Sequence, residues 1–215
     1  MPYDKALVAG KLRRWESYLD GFRLPSWEEI PDFGLYMEQV TVLLQEYLDY
    51  FPPELKEEQF ITAATINNYV RIKVMPEPRK RRYYREHIAY LIIILTLKHS
   101  LSIALIQRLI PMGLTREEVE RIYTQYAARH RMTARYFIEQ TRQLAGPILE
   151  HKGTDAMSAA TPEALIVTNA VMSGFTRLLT EKLLLLEGKD LTDGGTIERP
   201  EKHRAPVGGN DDERR

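Results

Sequence analysis

The chain has 215 residues, 30 Lys plus Arg against 30 Asp plus Glu, with 44% hydrophobic and 28% charged residues. Such a chain can bury a sizeable core in one or two domains, and its zero net charge means that any pull toward a polyanion must come from a local patch. Cysteine is absent, which excludes disulfides, thiolate metal sites and cysteine nucleophiles and fits a reducing cytosol.

Leu7, Leu12, Trp15 and Leu19 fall near helical spacing and predict a first helix over residues 3–19, with Gly21 as its stop. The opening MPYDKALVAGKLRRW has no long apolar core of the signal-peptide kind. RLPSWEEIPD reads as a connector broken by Pro25 and Pro31, with Ser26 capping one helical turn. Leu35 to Leu48 predicts a helix that FPPE ends, because proline cannot continue the hydrogen-bond ladder. Thr62 is placed to cap TAATINNYVRI. Pro76 and Pro78 then hold the chain extended, leaving room for at most a two-stranded ribbon around Val74 to Tyr83. Arg85 to Lys98 is apolar nearly all round and predicts a buried helix. Its AYLIIILTL run is far shorter than the ~20 residues that span a bilayer, so a soluble, cytoplasmic protein is expected, with no membrane partner.

Ser102 is expected to cap a short helix ending near Ile110. Thr115 and Glu118 make a capping box for a helix reaching Leu144, with a stripe at Val119, Ile122, Tyr126, His130, Ala134, Phe137 and Thr141. A last helix runs from Pro162, capped by Thr161, to Glu187, and residues 189–215 have the polar, Gly- and Pro-rich composition of a disordered tail. The fold class is all-α.

One segment breaks the charge balance. Between Thr62 and His87 stand seven basic residues, Arg71, Lys73, Arg79, Lys80, Arg81, Arg82 and Arg85, against Glu77 and Glu86, a net of +5. An extended basic loop beside a helix suits the DNA backbone, where each neutralised phosphate releases counterions. Tyr83 and Tyr84 add hydroxyls or rings beneath the arginines. On the helix upstream, Asn67 and Asn68 are poor mid-helix residues but can pair bidentately with adenine in the major groove. Thr62 and Thr65 could reach a phosphate or a thymine methyl, while Ile66, Tyr69 and Ile72 share the inner face. The bland alternatives are a solvated basic surface and asparagines bonded to nearby backbone.

From Ile61 to Ile110 the chain resembles the DNA-binding domain of the MerR family of transcription regulators. Ile66-Asn67-Asn68-Tyr69-Val70 and Arg71-Ile72-Lys73-Val74-Met75-Pro76 stand where that family has its I-R-Y-Y-E and G-L-L-P motifs. Lys80-Arg81-Arg82-Tyr83-Tyr84 stands for the wing, Ile88 and Leu91 for the next helix, and Leu101-Ser102-Ile103 for the opening of the last one. The resemblance implies a winged helix-turn-helix core followed by long C-terminal helices. It puts Asn67, Asn68 and Tyr69 on the recognition helix, Arg71 near the backbone, and Arg82 and Tyr83 on phosphate. Lys73 replaces the family's glycine, so the turn there is expected to differ. DYFPPELKEEQF stands where the family has a tight turn. Residues 22–145 also resemble an uncharacterised bacterial family sharing an LPSWEEIPD-like start, INNYV, a basic loop and REHIAYLI.

Four segments follow: 1–32, a helix and connector; 33–112, the DNA-binding domain; 113–188, helices that dimerise or close the core; and 189–215, the tail. Nothing points to an enzyme. There is no phosphate-cradling glycine motif and no H-E-x-x-H, and the five histidines are too scattered for a ligand set. No cofactor or metal is expected. The expected partners are double-stranded DNA, held by Thr62, Thr65, Asn67, Asn68, Tyr69, Arg71, Lys73, Arg79, Lys80, Arg81, Arg82, Tyr83 and Arg85, and a second copy bound through residues 115–187. The competing reading is a helical protein-interaction module that keeps this scaffold without binding DNA.

Overall fold

The computed structural model describes residues 4–48, 61–149 and 158–184. Seven helices lie among them, all but one opened by a side-chain capping bond; the exception is the short helix after Ser102, whose hydroxyl makes no such bond. In α1 (Lys5–Gly21) the Asp4 carboxylate accepts the Leu7 N–H at 2.9 Å. The connector is one turn locked by Glu29, which accepts the Ser26 N–H at 2.6 Å and is forked by Arg23 at 2.5 and 2.6 Å. Those bonds hold the Glu29 carboxyl down at about 2.

Helix α2 (Met37–Tyr47) begins with the Gln39 side chain turned back onto the Tyr36 N–H. Helix α3 (Ala63–Arg71) starts at Thr62, whose hydroxyl accepts the Thr65 N–H at 3.0 Å. Helices α4 (Arg85–Leu97) and α5 (Ile103–Leu109) follow. Helix α6 (Arg116–Leu144) opens with the Thr115–Glu118 capping box, and α7 (Pro162–Leu184) opens beneath the Thr161 hydroxyl, with Pro162 at its first position. The expected tail at 189–215 and the stretch DYFPPELKEEQF lie outside the described residues.

Helix α4 is the axis of the molecule. Every residue from Glu86 to Leu95 is buried, as its all-round apolar sequence requires. Helices α2, α5 and α6 pack around it, and α3 packs on α2. The same core takes in Leu24, Trp27 and Ile30 from the connector and Val119 and Tyr123 from α6, where the Tyr123 hydroxyl donates to the Pro25 carbonyl at 2.8 Å. A second cluster joins α1, the end of α6 and the start of α7 through Ala9, Leu144, Ala145, Ile148, Leu149 and Leu165. Along the way, α1 lies against α6, with Trp15 edge-on to Phe137 at 5.5 Å.

Two expectations change. Helix α7, expected with α6 to dimerise or close the core, meets α5, where Arg108 bonds the Leu184 carbonyl at 2.9 Å, and most of its length is open to solvent. The ribbon gains a third segment. Arg79 pairs with Arg82, and Leu35, far upstream, pairs with Tyr83 through both backbone bonds at 2.8 and 2.9 Å. No strand longer than such a bridge occurs among the described residues.

Candidate nucleic-acid interface

The basic segment folds as a hairpin whose base is stapled and whose tip is bare. Arg79 and Arg82 exchange backbone bonds, both 3.0 Å, around Lys80 and Arg81 at φ +49° and +64°. Positive φ at both central residues is the I′ geometry that matches the twist of a hairpin, and it usually takes Asn-Gly. Here two long cationic side chains occupy it. Both are exposed, and neither makes a hydrogen bond or ion pair with a described residue.

The neighbouring arginines serve the fold. Arg82 donates to the Gly34 carbonyl and the Tyr36 hydroxyl at 3.2 and 2.7 Å, with its guanidinium 4.4 Å from the Tyr36 ring centroid. Arg79 pairs with the buried Glu86 and lies over Tyr84. Arg85 donates to the Ile30 carbonyl at 2.7 Å and lies over Trp27. Tyr83 is buried in the core.

His87 closes the base. Its Nδ1 accepts the Tyr84 N–H at 3.1 Å, so Nε2 carries the proton and donates to the Glu77 carbonyl at 3.0 Å. Burial pushes its pKa down, opposed by the Glu77 carbonyl and the nearby Glu86 and reinforced by Arg79.

On α3 the expected residues divide in the same way. Tyr69 is buried. Thr62 and Thr65 are half-buried, their hydroxyls 2.9 Å apart, and form the helix cap. Asn67 is exposed with no partner among the described residues, and Asn68 accepts from Arg71 at 2.6 Å. Lys73 takes φ +55°, so the turn after α3 keeps the left-handed geometry that a glycine would adopt. The Val74 N–H reaches the Tyr69 carbonyl and the Lys73 N–H the Val70 carbonyl, both at 3.0 Å, which is a Schellman cap. Gln107 on α5 clamps it, donating to the Lys73 carbonyl at 3.1 Å.

The exposed cations of the segment whose side chains bond to no other element among the described residues are therefore Arg71, Lys73, Lys80 and Arg81, joined by Asn67. Sequence reasoning missed Gly34, Tyr36, Glu86, His87 and Gln107 as parts of the arrangement. Only His87 had a local signal, standing three residues after its cap residue where a capping box places its acceptor.

Elsewhere, a groove of about 900 Å³ is bordered by Arg14, Tyr18, Phe22 and Tyr47, but its Arg23 is already paired with Glu29. Among the described residues there is no cluster of His, Asp or Glu able to hold a metal, and no helix long and apolar enough to cross a membrane.

Residues 25–127 are similar to a family described as a domain of unknown function, DUF1836. That span runs from the connector through α2 to α5 and into α6, and includes the whole hairpin. No curated protein and no solved structure matches the chain.

Proposed function

We propose that the chain is a DNA-binding transcriptional regulator of the MerR-like winged helix-turn-helix kind, with α3 in the major groove and the hairpin of residues 76–85 on phosphate. The turn at Lys80 and Arg81 carries the reading. Left-handed backbone costs a residue with a Cβ on the order of 1 kcal/mol, and here two in succession bear it. Nothing among the described residues offsets that cost. Strain of this kind is retained where side chains are wanted in a fixed place, and two ammonium or guanidinium heads on a stapled hairpin suit adjacent phosphates. Asn67 supplies the group that can read a base edge, with Arg71 and Lys73 at the far end of the same helix for the backbone.

The test separates charge from fold. Lys80→Asn with Arg81→Gly restores the residues this turn prefers, so the domain should gain about 1 kcal/mol or more in urea unfolding. The same variant should lose affinity for any duplex, and its plot of log K against log salt should flatten by about 2, near one per phosphate released. A variant that folds better but binds duplex with the wild-type slope removes the phosphate role.

The alternative, a helical interaction module without DNA binding, gains from the commitment of Arg79, Arg82 and Arg85 to the protein itself. It predicts no duplex binding at low or high salt.

A further inference from the structure

Helix α7 is pinned at both ends and uncovered between them. Leu165 near its start is buried in the second cluster, and Leu184 at its end packs on the main core, with its carbonyl held by Arg108. Between these anchors Val167, Val171, Phe175, Leu178, Leu179 and Leu183 are each 50–68% exposed. At 100° per residue they fall within an arc of about 160°. Asn169, Ser173, Arg177 and Glu181 lie on the opposite side, where Arg177 and Glu181 pair at 2.9 Å. The middle of the helix is open on both sides, so the apolar face is uncovered although the position of the helix is already set.

Six such side chains present on the order of 500 Å² of apolar surface, at ~200 Å² for a fully exposed Phe and ~120 Å² for a Val or Leu. That is the size of the largest patches on soluble monomers, about 300–600 Å² and often functional, and more than half of the ~800 Å² that a standard interface takes from each partner. The order of residues on the face says which partner fits. Val167, Val171, Phe175, Leu179 and Leu183 stand four apart and form one ridge centred on Phe175. Turned end for end about Phe175, the ridge maps onto itself. Val167 meets Leu183 of the other copy, Val171 meets Leu179, Phe175 meets Phe175, and the flanking Met172 meets Leu178. Each of these pairs is apolar on apolar, as an isologous twofold contact requires, and the one polar pair of positions that the same turn brings together on the arc is Thr168 with Lys182.

We infer that α7 is the homodimer interface of this protein, an antiparallel helix pair with Phe175 on the twofold axis. The inference does not rest on nucleic-acid binding. It narrows the interface expected over residues 115–187 to its second helix, because the long α6 is taken up against α1 and α4 while most of α7 is left bare.

Two measurements on the full chain without DNA test it. Sedimentation equilibrium should show a dimer, and Phe175→Glu should weaken it at least a hundredfold without changing helical content. Val42→Glu, at an exposed apolar residue on α2, should leave it intact. The chain has no cysteine, so Phe175→Cys introduces a single thiol at the axis, and mild oxidation should yield a covalent dimer. Met132→Cys, on the exposed side of α6, should not. A wild-type monomer at every concentration means that other parts of the same chain cover the face and overturns the inference. A dimer indifferent to Phe175→Glu overturns it as well. Either result leaves the duplex titration of Lys80→Asn with Arg81→Gly to be judged by itself.

Discussion

Two residues show how little side-chain identity says until the backbone around it is known. Lys73 sits at the left-handed end of α3, a place where glycine is cheapest, because Val74 and Tyr69 are buried on either side and Gln107 holds the carbonyls from outside. Packing overrides local preference there. Lys73→Gly should therefore stabilise the fold by about 0.5–1 kcal/mol in urea unfolding, the gain in backbone comfort exceeding the entropy glycine adds to the unfolded chain. A loss would show that the Lys73 side chain does something for the fold. His87 is the second case. Its folded pKa is lowered, so below about 6.5 the unfolded chain binds more protons than the native one. The stability it contributes is complete above the unfolded value and is lost as pH falls through the folded one. His99 and His130, also lowered by burial, act in the same direction. His87→Gln keeps an acceptor for the Tyr84 N–H and cannot titrate, so its unfolding midpoint should fall less than wild type between pH 7 and pH 5. Parallel curves for the two proteins would assign the pH dependence elsewhere.

Among the elements, the hairpin depends on a distant segment more than on itself. It has one bridge of its own, and its second comes from Leu35. The approach is close because residue 34 is glycine: a Cβ there would lie 2.8 Å from Arg82 Cδ and 2.9 Å from Arg82 Cβ. Gly34→Ala should push Arg82 off Tyr36 and weaken the Leu35–Tyr83 pairing, costing about 1–2 kcal/mol in chemical unfolding. Gly21→Ala is the control, since its added Cβ would meet nothing within 4 Å. Equal effects at the two positions would mean that the close approach is unimportant. Helices α4 and α7 make the opposite pair. Both are strongly apolar, yet α4 is enclosed by α2, α5 and α6 while α7 is held only at its ends.

For the whole molecule, the two clusters and the open helix divide the work. The main core sets the angle between the hairpin and its supports, and the second cluster carries α1 and the root of α7. If α7 pairs with its copy, stability becomes linked to concentration, and the melting temperature rises with protein concentration for wild type but not for Phe175→Glu. Two hairpins would then stand in fixed relation about the twofold axis, the arrangement that lets a dimer read two half-sites.

The local devices were open to view in the sequence. Thr62, Thr115 with Glu118, and Thr161 with Pro162 each act within four residues, so the starts of α3, α6 and α7 and the buried run of α4 could be read directly. The cluster of charge between residues 71 and 85 was visible for the same reason. Which of those cations face outward was not, because their partners come from far along the chain: Arg82 meets Tyr36 across 46 residues and Arg85 meets Ile30 across 55. Helical periodicity likewise marks an apolar face on α6 and on α7 alike. Only the packing of α1 and α4 against one, while the other is touched at its ends alone, decides which face is core and which stays exposed.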